Sequence, residues 1–538
     1  MYKPNTKHLQ PLLISNVNDL PEKHRQRLGA SWAGAFYREF FCRLKEEPFA
    51  VLYADVPSRP NVAVNVMVGL ETLKAGFGWS DEELYDHFVF DVQVRYALGY
   101  RDLKDGDFEL RTLYNFRKRI SRYNQEHGTN LLAQAFEDIT DQQLSALKVQ
   151  TGQQRMDSTQ VASNILDTSR LQLGVEAVQR LARLMSRTEQ SQQAEWLLPY
   201  TKGDAGQYVY RVKGKEATAE HLQRVGGALY HLLQILSSSY EQEPGYQVVQ
   251  RFFAENFRVV ESETVQAREQ KELSSGSLQS LDDLEASYRR KGNRFYKGNV
   301  ANLTETCAPE NPLQLITHVQ VAPNNSEDAD LMIEALPELK QRTQLQTLYA
   351  DGGFGSPAAD AQLIEQQVEL IQTGIRGNAP NPEKFSLADF AFTTTDQAKP
   401  LTLTCPNQQQ VLVEKGRTTG YIARFDADTC QTCPFHLHDR CRAAPGKRDP
   451  SFKLSFTQQE IHWAKRRQRY RQAKLLEKNP RAAIEASVRS IKHPFPNGKL
   501  PVRGRFRVTC MIIAAAAMTN IRRIQRFWSN PIAQQASA

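Results

Sequence analysis

Two short apolar segments, Leu147 to Asp157 and Leu345 to Ala350, each run into an aspartate: Asp157 within RMDST and Asp351 within LYADGGFGS. Strand-like runs that finish on a carboxylate constrain this chain more than any other feature, because neighbouring strands that end together can converge their carboxylates on one cation. Further strand signals surround them, at Phe295-Tyr296, Val300 to Thr306, Leu313 to Val321 and Val368 to Thr373. Helical stretches fall between. Ser326 is expected to cap one that opens on Glu327 and Asp328, and Pro357 to open the next. The succession β-β-β-α-β-α predicts a mixed α/β core, not an all-helical protein. One aspartate after a strand is by itself an ordinary turn or cap residue, so the pair needs support from elsewhere in the chain.

That support comes near the C-terminal end. Asn479 is a good N-cap and Pro480 suits the first position of a helix that Pro494 ends. Arg481, Glu485, Arg489 and Lys492 then share one face of it. The same pattern also makes a plain intrahelical salt-bridge ladder. Glu477, Asp426, Asp428 and Asp439 compete for the place of third acid, but Glu485 is the one with cations on both sides of its own face. Three carboxylates are the hard oxygen donors that magnesium prefers. Gly352, Gly353 and Gly355 after Asp351 would let a phosphate backbone come close.

Taken in order, the first aspartate, the Asp-Gly-Gly-Phe at Asp351, and Arg481-x-x-x-Glu485 followed by Lys492 resemble the DDE transposases of bacterial insertion sequences. The stretch Arg-Thr-Leu-Tyr-Asn-Phe-Arg beginning at Arg111, the Pro501-Val502-Arg503-Gly504 segment and the run from Ala514 to Ile524 are similar to that family too. Lys478 stands where the family signature has tyrosine. The resemblance implies a ribonuclease H-like catalytic core. In it Asp157, Asp351 and Glu485 would hold two Mg2+ (or Mn2+) ions, cleave DNA phosphodiester bonds at transposon ends and transfer the 3′-OH ends to target DNA. Arg481, Lys492, Arg489 and Arg503 are the expected DNA contacts, and a homodimer is expected when the protein assembles on DNA. Two other readings stand beside it: a catalytically inactive zinc-containing DNA-binding protein, and a ribonuclease H-like nuclease of another recombination or repair pathway. The presence of all three carboxylates favours an enzyme; the N- and C-terminal similarities favour the transposase.

The formal charge of +8 is unevenly placed. Lys465 to Lys474 carries six cations and no acid, and Arg503, Arg505, Arg507, Arg522, Arg523 and Arg526 follow. Such an end suits a polyanion, or is simply a solvated helix face. Leu110, Leu113, Phe116 and Ile120 form an apolar stripe flanked by Arg117, Lys118, Arg119 and Arg122. It reads either as a small DNA-binding helix or as a bundle helix with its bases in water. The longest apolar run, Met511 to Met518, is far below the roughly 20 residues of a membrane span. A soluble, cytoplasmic, nucleoid-associated protein with no membrane partner is expected. Cys405, Cys430, Cys433 and Cys441 are a candidate structural Zn2+ site around a Cys-x-x-Cys turn, with His436 and His438 as spare ligands and plain reduced thiols as the alternative. Thr457 and Glu460 are expected to box the start of the basic helix, and Trp196 to be a core residue of an insertion, with base stacking as the other reading. The expected organisation is a helical N-terminal DNA-binding domain (1–145) and a catalytic core (146–170, 291–385 and 455–528). A helical insertion (171–290), a cysteine-rich β module (386–450) and a tail (529–538) complete it.

Overall fold

The computed structural model describes residues 1–10, 15–54, 60–203, 206–260, 264–375, 381–393, 401–416, 420–446, 450–474 and 479–530. Most of the tail, together with Glu477 and Lys478, lies outside the described residues.

The N-terminal part contains α1 (Val64–Phe77), α2 (Asp81–Phe90), α3 (Leu110–His127) and α4 (Leu131–Ala146). Ser80 and Glu83 cap α2 reciprocally, as the sequence predicts. The stripe Leu113, Phe116 and Ile120 of α3 is buried. Arg117 is drawn inward with it and ion-pairs with Glu71 and Asp81 at 2.6 and 2.7 Å, so this base holds helices together.

β1 (Gln153–Val161) follows. The expected strand ended at Asp157; the observed one starts later and runs four residues past it. The reason is its antiparallel partner, which continues the ladder from Gln154↔Thr306 to Val161↔Asn299. α5 (Arg170–Leu184), α6 (Lys215–Tyr240), α7 (Pro244–Asn256) and the hairpin β2 (Phe257–Val260) and β3 (Thr264–Ala267) close around an apolar cluster that includes Val178, Leu229 and Phe252. Then come β4 (Ser287–Lys291), β5 (Arg294–Thr306), β6 (Ile316–Pro323), α8 (Asp328–Thr343), β7 (Thr347–Ala350), α9 (Pro357–Glu365) and β8 (Glu369–Gln372). The N-cap of α8 is Glu327, one residue beyond the expected Ser326, because Glu327 is the last residue with extended backbone.

These strands form a mixed sheet in the order β6-β5-β1-β7-β8, with β4 on β5. β5 is antiparallel to β1 and β6, whereas β1, β7 and β8 are parallel. Met156, Leu348 and Leu370 pack against apolar residues of α8 and α9 such as Leu336 and Leu363. Leu303, Ile316 and Val319 instead share a core with the N-terminal helices.

Six short strands, β9 (Ala391–Thr393), β10 (Thr402–Thr404), β11 (Gln410–Lys415), β12 (Tyr421–Phe425), β13 (Ala444–Pro445) and β14 (Phe452–Phe456), make a second, antiparallel sheet. α10 (Gln458–Lys474) opens on the expected reciprocal bonds between Thr457 and Glu460. Its basic run meets acids from elsewhere in the fold: Arg466 pairs with Asp360, Arg469 with Glu369 and Arg471 with Asp389. α11 (Ile484–Lys492) and α12 (Arg505–Trp528) end the described chain. The run Met511 to Met518 is buried in the core on α12. Among the described residues no helix is long and apolar enough to cross a membrane.

Candidate active site

Side chains alternate across a strand, so Arg155, Asp157 and Thr159 share one face of β1 and Met156 packs on the other. The parallel register pairs Gln153 with Thr347 and Arg155 with Tyr349. Continued by two residues, it sets Asp157 level with Asp351, the first residue after β7. Asp351 caps the tight turn Gly352–Phe354, its Oδ1 accepting from the Gly353 N–H at 2.7 Å. Asp157 is only 9% exposed. Burial holds its carboxyl above the ordinary aspartate range; Arg481 opposes that rise and the negative charge of Asp351 adds to it.

α11 lies over this stripe. The Arg481 guanidinium is 3.0 Å from Asp157 Oδ2. Arg155 Nη1 donates to the Pro480 carbonyl at 2.7 Å, and Lys492 Nζ donates to Thr159 Oγ1 at 2.6 Å. Burial pushes the Lys492 ammonium below its usual range. Asn479 caps as expected, its Oδ1 accepting from the Arg481 N–H, but the residues after Pro480 close turns with i→i−3 bonds (Ala482 N–H to Asn479 O, Ile484 N–H to Arg481 O), so the α-helix begins only at Ile484. Glu485 is therefore in the first turn of α11. It is exposed, and its carboxylate has no partner among the described residues.

Beneath α11 sits a group that the sequence did not single out. Glu305, fully buried on β5 opposite Arg155, accepts from Arg155 Nε at 2.5 Å, Ser487 Oγ at 2.5 Å and Arg523 Nη1 at 2.8 Å. The only signal in sequence was a lone carboxylate inside the run Val300 to Thr306.

The structure thus brings Asp157, Asp351 and Arg481 to one place, while Lys492 docks two residues along β1 on Thr159 and Glu485 is exposed on α11 between those anchors. Among the described residues, the one group of three His, Cys, Asp or Glu ligand atoms lying within 4.8 Å of one another is Glu137, His318 and Glu338. There Arg342 supplies the positive charge, at 3.2 and 3.3 Å from the two glutamates. Asp157, Asp351 and Glu485 are not drawn to that single-ion spacing. Two ions about 4 Å apart would span a wider ligand set. Arg489 is exposed on α11. Arg503 is held away from α11, by the Asn164 carbonyl at 2.7 Å and Asp282 at 3.0 Å.

Other expectations change. A side chain at Gly355 would strike Arg466 and Gln372, so that glycine makes room for the protein itself, not for phosphate. Asp426 caps a short helix and Asp439 pairs with Lys384, so neither serves the site. Trp196 is not in the core: it is 36% exposed and stacks on His231.

Cys405, Cys430, Cys433 and Cys441 line one small cavity with Phe385 and Phe435. Burial and the three neighbouring sulfurs push the Cys430 thiol up to about 11. No three of the sulfurs lie within 4.8 Å of one another, wider than the roughly 3.8 Å that tetrahedral zinc–sulfur bonds of about 2.3 Å impose.

Residues 404–525 match the model of a family described as a transposase DDE domain. That stretch contains Glu485, Arg481, Lys492 and the four cysteines; Asp157 and Asp351 precede it. The match supports a DDE transposase. No curated protein and no solved structure matches the chain.

Proposed function

We propose that the chain is a metal-dependent DNA transposase whose catalytic acids are Asp157, Asp351 and Glu485. One observation carries this reading. Two aspartates far apart in sequence are set level on adjacent parallel strands, under the helix that bears the glutamate of the matched family stretch. The strand order β6-β5-β1-β7-β8, antiparallel on one side of β1 and parallel on the other, supports reading the sheet as the ribonuclease H-like core that the resemblance implies.

The donor set fits divalent magnesium: three carboxylates supply hard oxygens, and Asp157 has a cation, Arg481, against it already. When bound, a pair of such ions stabilises the attacking and leaving oxygens of an in-line displacement at phosphorus. The chain's own residues do the rest. Asp157 and Asp351 form a rigid floor fixed by the β1–β7 register. Glu485 is carried by α11, which is anchored to β1 and β5 through Lys492 and Ser487. Lys492 docks the helix on Thr159, and Arg489, exposed on the same helix, places positive charge that would hold phosphates of the bound DNA; positioning with charge stabilisation lowers the barrier.

The test is cleavage of DNA carrying the sequences that flank the coding region, with magnesium or with EDTA. Parent protein nicks it only with magnesium, and Asp157→Asn, Asp351→Asn and Glu485→Gln each reduce the rate at least a hundredfold while remaining folded. Activity that survives in Glu485→Gln and Asp351→Asn sinks the proposal.

A further inference from the structure

We infer that the cleft between α3 and the start of α12 binds a single nucleic-acid strand, phosphates on its rim and bases toward its floor. The inference rests on the DNA reading above and names a contact surface outside the carboxylates. The cleft encloses about 770 Å3. One wall presents Tyr114, Lys118 and Arg122 from α3; the other presents Arg503, Phe506 and Arg507. Phe116, Ile120, Leu132, Met511 and Ala514 make the floor apolar.

Charge on the walls is one-sided. The two acids that line the cleft, Glu71 and Asp81, are already neutralised by Arg117 and Lys74. Arg122 shares a surface pair with Glu126, and Arg503 with Asp282. Lys118 and Arg507 are exposed and make no ion pair among the described residues. The rim therefore keeps a net positive charge, as a polyanion requires.

The floor and the rings decide which polyanion. A duplex shows a protein its phosphates and groove edges, and gains little from an apolar floor. A single strand also offers unstacked base faces, which bind aromatic rings and apolar surface. Tyr114 keeps 43% of its surface exposed at the cleft mouth, a large ring with a face to give. The cleft joins the catalytic sheet through the loop after β1. Asn164, three residues beyond the end of β1, lines it and is bonded to Arg503.

Fluorescence anisotropy in EDTA tests this without any chemistry. The probes are a labelled oligothymidylate of about 15 nucleotides, near the upper site size of strand-binding folds, and a duplex of the same length. The parent chain binds the strand. Tyr114→Ala weakens strand binding about tenfold and leaves duplex binding unchanged, whereas Tyr114→Phe keeps the ring and restores it. Lys118→Glu with Arg507→Glu weakens strand binding further and lowers the salt slope by about 1.4. Arg187→Glu with Lys215→Glu, on the insertion, changes neither. The inference is overturned if the parent does not retain the strand, if Tyr114→Ala lowers both affinities equally, or if the insertion variants do as much. Cleavage is scored separately. Strand binding that depends on Tyr114 in a protein whose nicking ignores Asp157 leaves the cleft and removes the enzyme; the converse removes the cleft alone.

Discussion

Glu305→Gln is the change that tests most directly how α11 is held over Asp157. The glutamate side chain is 0% exposed, with Arg155 at 9% and Arg523 at 19%. One carboxylate serves two guanidinium groups and a serine hydroxyl. Glutamine keeps the shape but leaves two positive charges with no counter-charge. Removing one partner from a buried ion pair costs ~3–5 kcal/mol. Arg523 retains some access to water, which points to the lower end, ~3 kcal/mol. That is a large share of the ~5–15 kcal/mol that a folded domain has to lose. Ser487→Ala removes a hydroxyl that bonds both Glu305 and Arg523 and costs ~1–2 kcal/mol. Because the two changes share a bond, the double variant loses less than their sum, by ~0.5–3 kcal/mol. Replacing Arg155, Glu305 and Arg523 together by Met, Leu and Met restores most of the stability but cuts the bond from Arg155 to the Pro480 carbonyl. The assay is denaturant unfolding of each variant, with hydrogen exchange read on residues 479–492. A loss below ~1 kcal/mol for Glu305→Gln, or strict additivity with Ser487→Ala, refutes the argument that this buried cluster anchors the helix.

Acid stability should carry the signature of Asp81. Burial alone would raise its carboxyl, but Arg117 and Lys74 overcome that and hold it at about 2 against an ordinary 3.8. A depressed carboxylate stabilises the fold fully above the ordinary value, and that share, ~2 kcal/mol, is lost as pH falls from about 4 toward 2. Melting temperatures across that window should drop less steeply in Asp81→Asn than in the parent; parallel curves contradict the assignment. Zinc added to reduced protein should bind at the cysteine pocket only by drawing its four sulfurs inward from their present spacing, with proton release from the thiols. Metal content measured by elemental analysis should fall to a small fraction in Cys430→Ser, and an unchanged ratio shows that the four thiols are packing residues.

Much of the sheet was legible because its strands are short apolar runs bounded by turn chemistry. The positions of β5, β6, β7 and β8 follow Val300 to Thr306, Leu313 to Val321, Leu345 to Ala350 and Val368 to Thr373 closely. The end of β1 was not legible, because a strand stops where its partner stops, and Asn299 lies far away in sequence. Helix caps divide the same way. Ser80 and Thr457 cap through bonds confined to four residues and read correctly. Asn479 makes its cap bond too, yet the residues after it close i→i−3 turns and α11 starts only at Ile484, which no local signal announces. Bases were the least legible class. Arg117, Arg466 and Arg471 look free in sequence and find acids contributed by other elements; only the folded chain tells a structural cation from an available one.

That distinction alters what the spacing Arg481, Glu485, Lys492 accomplishes. Arg481 and Lys492 are the two ends of a strap, one on Asp157 and one on Thr159. From residue 481 to residue 492 a helix would rise about 16 Å, whereas two strand residues on one face are separated by about 7 Å. The long side chains of Arg and Lys can close that difference by leaning inward from either end. Glu485 stands between those two anchors on α11, exposed. A cation anchored on each side of the acid therefore fixes α11, and with it Glu485, relative to β1. On this geometry a shortened cation at either end tilts α11 and moves Glu485 relative to Asp157 and Asp351.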